Sequence, residues 1–154
     1  EAGFYFDELT VELICDGCHI PENLLKLIFK LKDRDHIIGI SDSMRGAGFE
    51  SGDSILGPKN NGTPVVIEDG VAKLSDRSCF AGSIATGIRL VKTLSTLAEE
   101  SMVSVFKTVS YNPARVIGME NEIGSLEVGK YGDFIIFDDD YKLDSVYISG
   151  EKVR

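Results

Sequence analysis

The sequence predicts an α/β fold, with parallel strand–helix–strand order in its first third and a separate set of short strands at its end. Three observations lead there. Two short apolar runs, residues 11–15 (VELIC) and 36–40 (HIIGI), flank one amphipathic stretch at 21–32. Each apolar run stops at a polar cluster, Asp16-Gly17 after the first and Ser41-Asp42 after the second. That is the layout of a parallel unit whose chemistry lies outside the carboxyl ends of its strands. From Ile123 the hydrophobic spacing changes from a helical period to strand-like runs.

The elements follow in order. VELIC reads as a buried strand ending at a turn. In the stretch 21–32, Pro21 suits the first helical position, and Leu24, Leu25, Ile28, Phe29 and Leu31 form the apolar face. HIIGI is the second buried strand. Gly46, Gly48, Gly52 and Gly57 then interrupt the chain, and the runs 63–68 and 71–74 flank Asp69-Gly70, a strong hairpin signal. Ser83 is expected to cap a long helix reaching about Glu99, with Ile84, Ile88, Val91 and Leu94 on its buried face. A further helix is expected over 101–110. Asn112-Pro113 then starts a short one, with Asn112 as its cap, and Gly118 ends it. Residues 131–138 and 144–148 read as strands, and a domain change is expected near residue 122.

Composition narrows the function classes. The chain has 154 residues, 43% hydrophobic and 27% charged, within the range of globular proteins. Acidic residues outnumber basic ones 25 to 16, for a net charge of −9, which argues against a nucleic-acid partner. Asp138-Asp139-Asp140 is the longest like-charge run and reads as a solvated turn. No apolar stretch approaches the roughly 20 residues that span a bilayer, so no membrane partner is expected. Three cysteines do not make a disulfide framework in a chain of this length, and a reducing, cytoplasmic setting is the simplest expectation. The chain begins at Glu1 rather than Met, so an upstream segment is expected.

Several residues are candidates for chemistry. Asp42, just past an apolar strand in SDSM, has the position of a general acid or base, and equally that of a loop or helix cap. His19, in DGCH after the first strand, could meet substrate or metal, or could be a hydrogen-bonded structural histidine. His36 has no companion and reads as structural. Cys15, Cys18 and His19 also satisfy C-x-x-C-H, the haem attachment spacing of c-type cytochromes, although here it ends a VELI strand with no secretory segment in view. Cys79 has no paired ligand nearby, so a structural zinc site is unsupported. Phe80-Ala81-Gly82-Ser83 lies at a loop-to-helix junction, where backbone N–H groups either bind an anion or simply start a helix.

Taken together, the motifs resemble those of the N-acetylglucosamine-6-phosphate deacetylases of the amidohydrolase superfamily. They are DGCH at 16–19, SDSMRGAG at 41–48, EDGVAKL at 68–74, FAGSIATGIR at 80–89, YNPARVIG at 111–118 and IGSLEVGKYGDFIIFD at 123–138. The last two are shared across the wider superfamily, whereas DGCH, SDSM and FAGS in this order are more specific to the deacetylases.

The resemblance implies a (β/α)₈ barrel with a small β-sandwich made from both chain ends. Residues 1–122 would be the C-terminal part of the barrel, with a hairpin excursion over about 53–76 and with VELIC and HIIGI as its seventh and eighth strands. Residues 123–154 would be C-terminal strands of the sandwich. The implied reaction, part of amino-sugar catabolism, is hydrolysis of the N-acetyl group of N-acetylglucosamine 6-phosphate to glucosamine 6-phosphate and acetate. Asp42 would be the catalytic residue. Asp16, Gly17, Cys18 and His19, with Phe80, Ala81 and Gly82, would be the substrate contacts. A divalent metal, zinc or iron, is implied for an intact homodimeric enzyme.

This chain departs from that pattern in several places. The family's metal ligands, a Glu and two His, have no counterpart here, nor do the upstream His that polarises the carbonyl and the Arg that holds phosphate. A fragment inactive by itself is therefore expected, with its metal ligands upstream. Gly132 replaces a more usual Ala, and Gly87-Ile88 stands where many members have a larger residue and a polar one. A dihydroorotase-like amidohydrolase and a non-catalytic truncated module are the other readings these motifs leave open.

Overall fold

The computed structural model describes residues 2–154. A short helix α1 (Ala2–Tyr5) leads to strand β1 (Val11–Ile14), helix α2 (Glu22–Leu31), a 3₁₀ turn (Arg34–His36) and strand β2 (Ile37–Ile40). β1 and β2 pair in parallel, with Val11 opposite Ile37 and Ile14 opposite Ile40, and Cys15 N–H extends the ladder to the Ile40 carbonyl at 3.0 Å. Both strands therefore deliver their carboxyl ends, and the residues that follow, to one edge.

α2 lies in this crossover and buries Leu25, Ile28 and Phe29. Leu24 and Leu31, expected on the same face, stay 45% and 61% exposed. Pro21 stands one residue before the helix, its ψ of 150° being extended. Buried Lys32 ends the crossover, and its Nζ donates to the carbonyls of Phe6 (2.6 Å) and Asp7 (3.1 Å), tying down the N-terminal segment.

Three antiparallel strands follow, β3 (Gly52–Leu56), β4 (Thr63–Glu68) and β5 (Val71–Leu74), in the order β3-β4-β5. The turn joining β4 to β5 places Asp69 at φ 52° and Gly70 at φ 77°. Both are left-handed, as the tight two-residue hairpin requires. β3 lacks a strong alternating pattern and was not expected from sequence.

Helix α3 (Gly87–Thr96) starts four residues later than Ser83. Ser83 is drawn instead into a parallel bridge with Ser43, and Ile84 packs into the hairpin's own apolar cluster with Val65, Ile67, Ala72 and Ala81. α3 buries Thr93 and contributes Leu90, Val91 and Leu94 to the main core, which also contains Leu13, Cys15, Leu25, Ile28, Phe29, Ile37 and Val105.

The two helices expected over 101–110 and 112–118 form one helical run. It consists of α4 (Met102–Phe106), a π-helical turn (Lys107–Tyr111) and α5 (Asn112–Val116). Pro113 in an ordinary α-helix would collide with the carbonyl four residues earlier. The wider π turn, in which Asn112 N–H reaches the Lys107 carbonyl, lets the helix continue through it. Asn112 is accordingly no cap. It is fully buried, and its Nδ2 donates to the carbonyls of Arg34 (2.6 Å) and Ile37 (2.8 Å), fixing the start of β2. Asn112→Leu removes both bonds and strands the two carbonyls. It should lower unfolding free energy by about 2–4 kcal/mol in chemical denaturation.

The chain ends in an antiparallel meander of β6 (Phe134–Phe137), β7 (Leu143–Ile148) and β8 (Glu151–Lys152). The acidic run forms the β6–β7 turn, in which Asp138 Oδ1 accepts from Asp140 N–H (3.0 Å) and Lys142 N–H (2.8 Å). Phe137 and Tyr141 pack on the main core, and the Tyr141 hydroxyl reaches Ser95 Oγ at 2.8 Å. Gly132 has a local reason: a Cβ there would lie 2.8 Å from Gly150 N, whose N–H donates to the Gly132 carbonyl at 2.9 Å. No such reason exists at Gly87, where a Cβ would meet nothing within 4 Å.

Candidate active site at the strand ends

The segment after β1 is organised by Asp16. Its buried carboxylate accepts the backbone N–H groups of Cys18 and His19 on Oδ1, both at 2.9 Å, and meets His19 Nδ1 on Oδ2 at 2.8 Å. Burial pushes the Asp16 carboxyl up, but the His19 and Cys18 amides and the His19 ring outweigh it and hold the carboxyl below its ordinary value. The ring is thereby oriented through Nδ1, leaving Nε2 available to another partner. Gly17 supplies the left-handed φ of 81° at which the turn leaves β1.

Asp42 follows β2 at φ 47°, a left-handed conformation uncommon outside glycine. Its side chain is exposed, and no hydrogen bond to its carboxylate is formed among the described residues. Its backbone is held from the other side of the site. Ser83 N–H donates to the Asp42 carbonyl (3.1 Å), Met44 N–H to the Ser83 carbonyl (2.8 Å), and the Ser43 hydroxyl to the Ala85 carbonyl. Gly82, at φ 97°, sits against this loop; a Cβ would lie 3.5 Å from Met44 Cβ. Because that backbone region costs an L-residue about 1–2 kcal/mol, Gly82→Ala should lower stability by about that amount in thermal melts.

Phe80 connects the third segment to the first. Its ring meets the His19 imidazole edge-on, with centroids 5.1 Å apart and planes at 64°. Phe80 is 45% exposed and Ala81 is buried. The residues singled out from sequence (Asp16, Gly17, Cys18, His19, Asp42, Phe80, Ala81 and Gly82) thus come from three segments linked by direct contacts, at the carboxyl ends of β1 and β2.

Two other ligand chemistries fare differently. The C-x-x-C-H spacing does not present a haem attachment surface: Cys15 is 1% exposed inside the main core, and burial, with the Asp16 charge beside it, pushes its thiol up to about 12. Among the described residues, no three His, Cys, Asp or Glu side chains are grouped so as to hold a metal ion.

One neighbour of these residues has no counterpart among the sequence candidates. Arg89, in the first turn of α3, contacts both the hairpin tip and Cys18. A cation is disfavoured at a helix N-terminus, and that mismatch is the signal in the sequence that could have singled it out.

Residues 5–153 match the amidohydrolase family, and the chain belongs to it. It is 28% identical over 152 residues to the N-acetylglucosamine-6-phosphate deacetylase of Vibrio furnissii, covering 99% of this chain and 37% of that protein. The deacetylase structure from Thermotoga maritima superposes with a TM-score of 0.86 at 31% identity, over 99% of this chain and 40% of its own. An aspartate-to-alanine mutant of the Mycobacterium smegmatis deacetylase, in complex with N-acetyl-D-glucosamine 6-phosphate, superposes with a TM-score of 0.86 at 25% identity, over 99% and 39% of the two chains. The chain thus spans well under half the length of these relatives. No helix among the described residues is long and apolar enough to cross a membrane.

Proposed function

We infer that this chain supplies the C-terminal part of an N-acetylglucosamine-6-phosphate deacetylase, with β1 and β2 as the last two strands of a (β/α)₈ barrel and β6–β8 as strands of a small β-sandwich. The observation that carries the reading is the meeting of Asp42, the 16–19 turn and the 80–82 segment at the carboxyl ends of parallel strands, where barrel enzymes place their chemistry. Support also comes from the two-stranded parallel sheet itself. Parallel sheets are normally extended and covered on both faces, and here each strand has only one partner among the described residues.

In this reading Asp42 takes a proton from the attacking water as its oxygen bonds to the acetyl carbonyl carbon. Asp42 then returns the proton to the departing nitrogen as the C–N bond breaks, giving acetate and glucosamine 6-phosphate. Its unpartnered carboxylate suits that task, and its left-handed backbone is the kind of local strain that collects at active sites. His19, held through Nδ1, offers Nε2 to the sugar. Phe80 flanks the ring, and Ala81 and Gly82 present backbone. A divalent metal, zinc or iron, would sit on ligands outside this chain.

The test is hydrolysis by the intact protein across a substrate panel, read as acetate release from N-acetylglucosamine 6-phosphate and as ring opening of dihydroorotate. Turnover of N-acetylglucosamine 6-phosphate with little activity on dihydroorotate is expected. The reverse preference would overturn the assignment in favour of a cyclic amidohydrolase.

A further inference from the structure

Arg89 holds two separate parts of the molecule at once. Its Nη1 donates to the Gly70 carbonyl at the tip of the β4–β5 hairpin (2.9 Å), and its Nη2 lies 3.4 Å from Cys18 Sγ in the turn after β1. The third side of the triangle is closed by Cys18, whose thiol approaches the same Gly70 carbonyl at 3.7 Å and that of Asp69 at 3.8 Å. The guanidinium packs directly over the turn, where a Cβ at Gly70 would lie 3.1 Å from Nη2. The guanidinium thus fastens the excursion sheet to the turn that carries His19, from a helix seated in the main core.

We propose that Arg89 is a positioning residue for the candidate site: its two-pronged clamp on Cys18 and Gly70 fixes the 16–19 turn against the hairpin, so that substrate meets a preformed wall. The proposal rests on the deacetylase reading of that site. The fork geometry is what a planar guanidinium provides and a single ammonium does not. Releasing the clamp leaves Asp42 held by Ser83, whose N–H donates to the Asp42 carbonyl on the other side of the site. The consequence therefore falls on substrate binding more than on the chemical step. Ordering a loop at the moment of binding is a cost that a preformed site avoids.

The experiment compares the intact wild-type enzyme with Arg89→Met and Arg89→Lys. Steady-state kinetics on N-acetylglucosamine 6-phosphate are measured beside amide hydrogen exchange of peptides covering 16–20 and 68–72. Both variants should raise KM, by about tenfold for Arg89→Met and less for Arg89→Lys, while kcat stays within about threefold. Exchange should rise in both peptides together. Unchanged KM despite faster exchange would reduce the clamp to a stability element and overturn the proposal. An equal fall in kcat with KM constant would also overturn it, since that places Arg89's effect in the chemical step. A wild-type enzyme with no activity on this substrate would instead sink the deacetylase reading, and the positioning role with it. The exchange data would still show whether the clamp exists.

Discussion

Asp42→Asn in the intact enzyme is expected to lower kcat by about 10²- to 10⁴-fold, the range a positioned acid–base group contributes. KM should change little, because the substitution keeps the size of the side chain and removes only its ability to carry a proton. The fold should be unaffected. Asparagine tolerates the left-handed backbone at φ 47° nearly as well as aspartate, and the carboxylate accepts no hydrogen bond among the described residues that the amide would lose. Steady-state kinetics beside a thermal melt check both halves. A variant that retains kcat within tenfold would remove Asp42 from the mechanism and return it to the role of a loop residue.

Asp16→Ala should have the second-largest effect, and it should be mixed. The side chain is fully buried, and its loss leaves the Cys18 and His19 amides and the His19 ring without their acceptor. A drop in unfolding free energy of about 2–4 kcal/mol is expected, together with weaker substrate binding as the His19 ring comes free. Asp16→Asn keeps one acceptor oxygen and should lose less on both counts. The carboxyl also makes stability pH-dependent. Its folded value is lowered from the ordinary 3.8. Its contribution is therefore fully present above 3.8 and is lost as the pH falls through the lower folded value. Denaturation of the wild-type and Asp16→Asn proteins across the acid range should show the wild-type advantage shrinking only at the acidic end.

Much of this was legible in the sequence because local pattern and tertiary role agree there. The apolar runs VELIC and HIIGI, the Asp69-Gly70 turn and the polar clusters after each strand all do in the fold what their residues do locally. The misplacements of Ser83 and Asn112 share one physical cause, a long-range contact that overrides a local preference. Ser83 is a good cap residue, yet its backbone pairs with the Asp42 loop, so α3 waits until Gly87. Asn112 before Pro113 reads as a helix start, yet its amide is needed by the carbonyls of Arg34 and Ile37, more than 70 residues away in sequence, and a π turn carries the helix through. Leu24 and Leu31 match the helical period, yet the core takes only Leu25, Ile28 and Phe29. The candidate site residues stand out by motif. Their convergence, the Asp16 network and the Arg89 clamp depend on side-chain contacts across the fold, which spacing along the chain does not encode.

The most direct test is a crystal structure of the intact Asp42→Asn enzyme bound to N-acetylglucosamine 6-phosphate. The account predicts the N-acetyl group beside the substituted side chain at position 42, with the sugar contacting His19 and the 80–82 segment. A ligand bound away from position 42, or one touching neither the 16–19 turn nor Phe80, would contradict it.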